Sequence, residues 1–305
     1  MRILIALLLS ALMIVSCADN ETIVETETES DTETESETIP PETETETTIQ
    51  TESETEPPII IPSIEYPISY SDDTCEITIT KEWYENAWVY AAHLVYTDYD
   101  RLGTSCAYGT YNSGYETTTS AAARIGSILT INGCYSAPYL NYTVVRDGVI
   151  WNGAEKNLCL PAIYSSNNGL LLSAWETGGC ELTGRNVQEL VDEGLLTDTF
   201  CFGPPFLSEG EVLVNSNDSR AQRTFIGTNG DAGDIWLVVS DGRWNDGESS
   251  GLTGNQCAQY LHSKGCTFGV ALDGGGSTTM VWQGTVLNAV GEANQRAVVD
   301  FVYFK

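Results

Sequence analysis

The sequence predicts an α+β domain, a single unit with a mixed, largely antiparallel β-sheet core and flanking helices. Three observations carry that prediction. Most apolar stretches are short, rich in β-branched and aromatic residues, and bounded by Asn-Gly or Asp-Gly pairs, the pattern of strands and hairpins. Helical spacing is confined to three segments, 117–125, 186–195 and 253–264. No strict strand–helix alternation runs through the chain, so a parallel sheet of repeated strand–helix–strand units is not indicated.

Taken in order, residues 88–97 form an aromatic and β-branched run that reads as a strand. Residues 117–125 favour a short helix through the alanines at 121–123, and 127–132 follow as a short strand ending at Asn132-Gly133. Residues 142–151 form a hairpin around Asp147-Gly148, and 158–175 another around Asn167-Asn168-Gly169. In 186–195, Val187, Leu190 and Val191 share one helical face. Residues 223–241 are a hairpin turning near Asn229-Gly230. The helix at 253–264 has Thr253 as N-cap and Gly265 just past its end. Residues 268–272 are a buried strand, 280–287 turn at Gln283-Gly284, and 297–304 close the chain as a strand.

The front of the chain is of a different kind. Arg2 precedes an apolar run at 3–15, suited to a signal peptide and short of the ~20 residues a membrane span needs. The run ends in Ile14-Val15-Ser16-Cys17, which resembles the bacterial lipoprotein box and makes Cys17 the lipidation residue. Residues 1–17 are thus expected to be a lipoprotein signal ending in a lipidated cysteine. Residues 18–57 form a Thr/Glu-rich acidic tether, self-repelling and too polar to bury a core. Extended, its 40 residues reach at most ~140 Å. Residues 58–305 are the globular part, so the expected location is the bacterial cell surface, outside the cytoplasm, with membrane contact through the anchor only.

The chain has 13 Lys and Arg against 43 Asp and Glu, a net charge of −30. The part after residue 57 is itself near −16, which argues against nucleic acid as a partner and makes each arginine inside a motif informative. Eight cysteines follow Cys17. In an exported domain they read either as disulfides, with Cys257–Cys266 the simplest local pair, or as buried thiols. Without a CxxC pair, and with His93 and His262 as the sole histidines, no zinc site is expected. The reading calls for no metal and no cofactor.

Four polar motifs stand at the ends of strands, where loops on a rigid sheet carry chemistry. The strongest is Leu272-Asp273-Gly274-Gly275-Gly276-Ser277-Thr278. It places a carboxylate beside a glycine turn whose N–H groups could form an anion nest, with two hydroxyls. Asp241-Gly242-Arg243 adds a second carboxylate and a planar guanidinium fork suited to phosphate. Asn132-Gly133 offers an amide for a sugar hydroxyl, and Arg223 is a further basic group. Arg296 is a weaker candidate.

In order, Ile131-Asn132-Gly133, Phe202-Gly203-Pro204, Arg223-Thr224 with Gly227, Asp241-Gly242-Arg243, Gly251-Leu252-Thr253 and the Asp273 motif resemble the phosphodiester glycosidase family. That family includes the N-acetylglucosamine-1-phosphodiester alpha-N-acetylglucosaminidases, or uncovering enzymes. The resemblance spans roughly residues 120–305. It implies an α+β domain and a hydrolase that cleaves between a sugar anomeric carbon and a phosphodiester, here in a surface or environmental glycan. Asp273 and Asp241 are then the catalytic candidates. Asn132, Gly133, Arg223, Gly242, Arg243, Gly274, Gly275, Gly276, Ser277 and Thr278 are the substrate-binding ones. Cys134 departs from the family, standing where a second glycine is frequent. Two other readings fit the same residues: a non-catalytic glycan-binding surface lipoprotein, and a metal-dependent phosphodiesterase using Asp241 and Asp273.

Overall fold

The computed structural model describes residues 64–134, 142–174, 181–202, 204–213, 219–290 and 295–305. The expected signal peptide, Cys17, the tether, Cys180 and Gly203 lie outside them. The chain divides into Met1–Ile60 and Ile61–Lys305, and all the described residues belong to the second unit.

In chain order the strands begin with β1 (Ile68–Ser71), β2 (Cys75–Tyr84), β3 (Ala87–Tyr96), β4 (Leu102–Cys106), β5 (Leu129–Asn132) and β6 (Val144–Arg146). Next come β7 (Val149–Asn152), β8 (Leu160–Ser165), β9 (Leu170–Ala174), β10 (Asp198–Phe200), β11 (Leu207–Ser208) and β12 (Glu211–Val212). The last are β13 (Arg223–Thr228), β14 (Asp234–Ser240), β15 (Phe268–Ala271), β16 (Met280–Trp282), β17 (Thr285–Val286) and β18 (Asp300–Phe304). Three α-helices accompany them: α1 (Thr118–Ile125), α2 (Val187–Asp192) and α3 (Gly254–Ser263).

The domain is more sheet-dominated than the α+β expectation. An eight-stranded sheet runs β1-β2-β3-β14-β13-β15-β11-β12, and a five-stranded sheet runs β17-β16-β5-β18-β4. A three-stranded sheet (β10-β8-β9) and a two-stranded one (β6-β7) complete the described strands. The expected mixed sheet is corrected: every pairing among the described residues is antiparallel. Where consecutive strands pair, as in β1–β2, β2–β3, β8–β9 and β13–β14, the short connection itself requires the antiparallel direction.

Local chemistry accounts for the turns. Asp147 and Gly148 both have positive φ (51° and 72°), as do Gln283 and Gly284 (46° and 81°). Such pairs match the right-handed strand twist. Thr253 and Gln256 form a reciprocal capping box at the start of α3, with Thr253 Oγ1 accepting from Gln256 N at 3.1 Å. The strands β1, β2, β4, β10, β11 and β12 carry no strong apolar signal. In β2, inward Cys75, Ile77 and Ile79 alternate with exposed Glu76 and Thr78 and half-buried Thr80, and the polar half masks the period.

The main core lies between the two large sheets. Ile77, Ile79, Leu94, Ile226, Leu237 and Val270 of one sheet pack with Leu129, Ile131, Met280, Val302 and Phe304 of the other. The opposite face of the eight-stranded sheet, through Val89, Ala91, Phe225 and Val238, packs under Ala258, Tyr260 and Leu261 of α3. Phe301 and Val298 pack with Ala121 of α1. Both large sheets are therefore covered on two faces, which is why β3 is apolar nearly throughout. Of the two readings of the cysteines, the buried thiol holds for Cys257 and Cys266, which lie unbridged in the core between α3 and the large sheet.

Helix α3 docks through missing side chains. Gly227 and Gly269 stand opposite each other on β13 and β15. A Cβ on Gly227 would meet Leu261 Cδ1 at 2.7 Å and the Phe268 carbonyl at 3.1 Å. Gly227→Ala is expected to cost about 1–3 kcal/mol by overpacking, read as a lower urea midpoint with an unchanged slope.

Candidate active site

The pairing of Arg223 with Ser240 and of Phe225 with Ala271 brings the start of β13 and the ends of β14 and β15 to one edge of the large sheet. The end of β5 and the starts of β16 and β18 reach the same place from the second sheet, with Ile131 opposite Met280 and Asn132 opposite Phe301. Asn132 ties these ends together. Its Nδ2 donates to the Asp273 carbonyl at 2.6 Å, and its Oδ1 accepts from Thr224 Oγ1 at 2.7 Å and Thr279 N at 3.1 Å. One amide thus joins β5 and β13 and closes the turn between Asp273 and Thr279. The sequence assigned Asn132 to a sugar hydroxyl. It is instead fully buried, with both amide atoms engaged inside the protein.

The glycine turn also differs from the expected nest. Gly275 N donates to the Gln222 carbonyl at 2.9 Å, Ser277 N to Gly274 O at 3.2 Å and Thr278 N to Gly275 O at 3.1 Å, so three of its N–H groups are already used. What the glycines provide is close approach. Gly275 has φ of 59°, and a Cβ there would meet the Arg243 guanidinium at 3.5 Å. A Cβ on Gly276 would stand 2.7 Å from Arg296 Nη2. The guanidiniums of Arg243 and Arg296 therefore lie along neighbouring residues of the turn. Both side chains are exposed, and among the described residues neither forms an ion pair. Ser277 Oγ and Thr278 Oγ1 are buried there without a hydrogen bond of normal geometry.

Beside the turn lies a cavity of about 60 Å³ lined by Tyr115, Cys134, Asp273, Ser277, Arg296 and residues 297–299. Burial raises the Asp273 carboxyl above its usual range, and Asp300 adds to the rise. The nearby Ser277 hydroxyl, the Arg296 charge and the Gly274 N–H act in the opposite sense. Asp300 lies behind the cavity wall. It accepts from Cys134 N at 2.6 Å and pairs with buried Arg146, which also donates to the Val145 and Thr199 carbonyls at 2.7 Å each. Gly133 packs against this carboxylate with no space for a side chain. The Arg146–Asp300 pair was not legible in sequence, because 154 residues separate its members.

The remaining candidates scatter. Asp241 is 1 % exposed and turned inward, accepting from Ala289 N at 2.8 Å and Tyr90 OH at 3.3 Å. Burial pushes it up to about 7. It does not line the cavity that Asp273 lines. Arg223 is half-buried, and its guanidinium donates to the carbonyls of Leu252 (2.9 Å) and Ser219. Gly242 is wedged against the backbone of Ala221, Gln222 and Gly251, which fixes where Arg243 begins. Arg243 and Trp244 both adopt positive φ, 51° and 63°, a conformation costing side chains of this size of order 1–3 kcal/mol each. Arg296, the weakest basic candidate in sequence, reaches the turn. A larger groove of about 350 Å³, lined in part by Arg124, Trp151 and Lys305, includes none of the predicted site residues.

Comparison with known proteins bears on this site. The family model for phosphodiester glycosidase (NAGPA) matches residues 126–305. The SPbeta prophage-derived protein YomE of Bacillus subtilis (strain 168) is 27 % identical over 208 residues, 65 % of this chain. The chain spans 30 % of that relative's length. Among solved structures, the pro-peptide-inhibited catalytic domain of zebrafish N-acetylglucosamine-1-phosphodiester alpha-N-acetylglucosaminidase aligns with a TM-score of 0.54 at 16 % identity. That alignment covers 75 % of this chain and 82 % of the zebrafish one. A protein from Synechocystis aligns with a TM-score of 0.49 at 14 % identity, covering 75 % and 62 % of the two chains.

Two outcomes are expected from the geometry. Asn132→Ala strands the Thr224 hydroxyl, the Thr279 N–H and the Asp273 carbonyl, and is expected to lower unfolding free energy by roughly 2–5 kcal/mol in denaturant titration. Asp241 holds its proton more tightly folded than unfolded. Its contribution to stability is whole below the ordinary carboxylate pKa of about 4 and is lost as pH rises through about 7. Asp241→Asn should therefore gain on the wild type between pH 4 and 8, by on the order of 2–4 kcal/mol, in thermal melts across that range.

Proposed function

The chain belongs to the phosphodiester glycosidase family, and from that premise we propose that it hydrolyses the bond between a sugar anomeric carbon and a phosphodiester in a surface or environmental glycan. The observation that carries this reading is the pair of guanidiniums, Arg243 and Arg296, laid on Gly275 and Gly276 of the turn that follows Asp273, with Arg296 lining the cavity that Asp273 lines. In a chain with 13 basic residues against 43 acidic ones, two arginines at one turn, without an ion pair among the described residues, mark a site for an anion.

The chemistry follows from the charges. As the bond from the anomeric carbon to the phosphate oxygen breaks, its electron pair leaves with the phosphate, which departs as a monoester. Arg243 and Arg296 stabilise that growing charge with fixed donors. A phosphate leaves readily, so protonation of the leaving oxygen matters less than for an ordinary glycoside. Asp273 takes the proton from the water whose oxygen bonds to the anomeric carbon. Its raised pKa makes it a better base than a solvated carboxylate. Asp300 and Arg146 position the wall carrying Gly133 and Cys134, and Asn132 positions Asp273 itself. The Cys17 anchor and the tether would hold this domain off a bacterial membrane, within reach of phosphodiester-linked glycans.

Purified protein is to be incubated with a panel of sugar-1-phosphodiesters, following free sugar and phosphomonoester together. Asp273→Asn should lose at least about 10³-fold in kcat with an unchanged melting temperature, and Arg296→Ala about 10²-fold or more in kcat/KM. The acidic limb of kcat/KM should fall above the ordinary carboxylate range. Full activity in Asp273→Asn would remove that residue from the reaction. Binding of the glycans without turnover would favour a non-catalytic receptor.

A further inference from the structure

Trp244 is the most exposed of the large hydrophobic residues in the described structure, at 63 %. Trp83, at 48 %, is accounted for by its edge-on contact with Trp88 at 5.1 Å. Trp244 has no such partner among the described residues. It is held in place by the backbone: Trp244 N donates to Ser249 O at 2.8 Å, and Gly247 N donates to Trp244 O at 2.9 Å. Asp246 accepts from Ser249 N at 2.7 Å and Glu248 N at 2.9 Å, and Trp88 N donates to Ser249 Oγ at 3.0 Å. A firmly tied turn therefore keeps two consecutive bulky residues in the left-handed region, aiming one at the glycine turn and the other into solvent. A lone exposed tryptophan needs no explanation, but one held at a cost in backbone strain beside an arginine outside any ion pair among the described residues does.

Resting on the hydrolase reading, we infer that Trp244 is the stacking platform for the group esterified to the far side of the phosphate. The lining of the Asp273 cavity sets the direction. Arg296 lines the cavity with Asp273, whereas Arg243 lies on Gly275 and does not line it. A phosphate bridging the two arginines has its anomeric carbon on the Asp273 side and its second ester on the Arg243 side, where Trp244 stands next in the chain. A flat indole face presented to water suits the apolar face of a pyranose ring. The subsite therefore selects diesters whose leaving group is a sugar phosphate over those whose leaving group is a small alkyl phosphate.

The test compares two diesters of the same sugar-1-phosphate, one esterified to a second hexose and one to methanol, with the full chain and its Trp244→Ala and Trp244→Phe variants. Trp244→Ala should raise KM for the hexose diester roughly threefold to tenfold, leave kcat within about twofold, and leave the methyl diester unchanged; Trp244→Phe should restore KM. Equal loss on both diesters, or no loss on either, would overturn the subsite while leaving the hydrolase reading intact. Should neither diester be cleaved, calorimetric titration with the hexose diester decides. Binding weakened by Trp244→Ala keeps the subsite and discards the hydrolysis, and binding that is absent or unchanged in the variant discards the subsite.

Discussion

The Asn132 amide is the constraint on which the site depends. The two large sheets each bury an apolar face against the other, a non-directional attraction that does not set how their ends align. Asn132 supplies the direction. From the end of β5 it accepts from a β13 hydroxyl and from the backbone on one side of the glycine turn, and donates to the backbone on the other side. A buried amide satisfied in this way tolerates little displacement, because each lost partner would leave a polar group stranded in the core. Asp273 and the turn after it are thereby referenced to both sheets at once.

Around that clamp, close approach replaces hydrogen-bond donors. The glycine turn spends much of its N–H capacity on its own folding and on Gln222. The absence of side chains at Gly275 and Gly276 then lets long basic side chains from distant segments lie on the backbone. Positive charge is scarce in this chain, and many of its basic groups are engaged: Arg101, Arg124, Arg146, Arg185, Arg220 and Lys264 each face a carboxylate. Among the described residues, the two at the turn form no ion pair.

Burial does a second kind of work here. The Arg146–Asp300 pair sits in a fully enclosed place, where desolvation offsets much of the attraction, so its value lies in geometry more than in stability. It fixes the Cys134 N–H and forces a glycine at 133, which shapes the cavity wall. Asp241 plays a similar part for the Ala289 backbone, in the same stretch of chain that later supplies Arg296.

Features that rest on a few consecutive residues are legible in the chain without its fold. The turns at Asp147-Gly148 and Gln283-Gly284, the cap at Thr253, the helices, and the placing of Asp273, Asp241 and Asn132 at strand ends are all of this kind, because backbone torsion and hydrophobic period are local properties. The family, too, is readable from the order of those motifs. Where each strand-end side chain points is settled only when the sheets stack. With both faces of each large sheet covered, alternation no longer separates an inward residue from a ligand-facing one. Asn132 and Asp241 thus face into the protein, while Arg296 reaches the glycine turn. Contacts such as Arg146 with Asp300, 154 residues apart, arise only in the packed domain, and no local pattern encodes them.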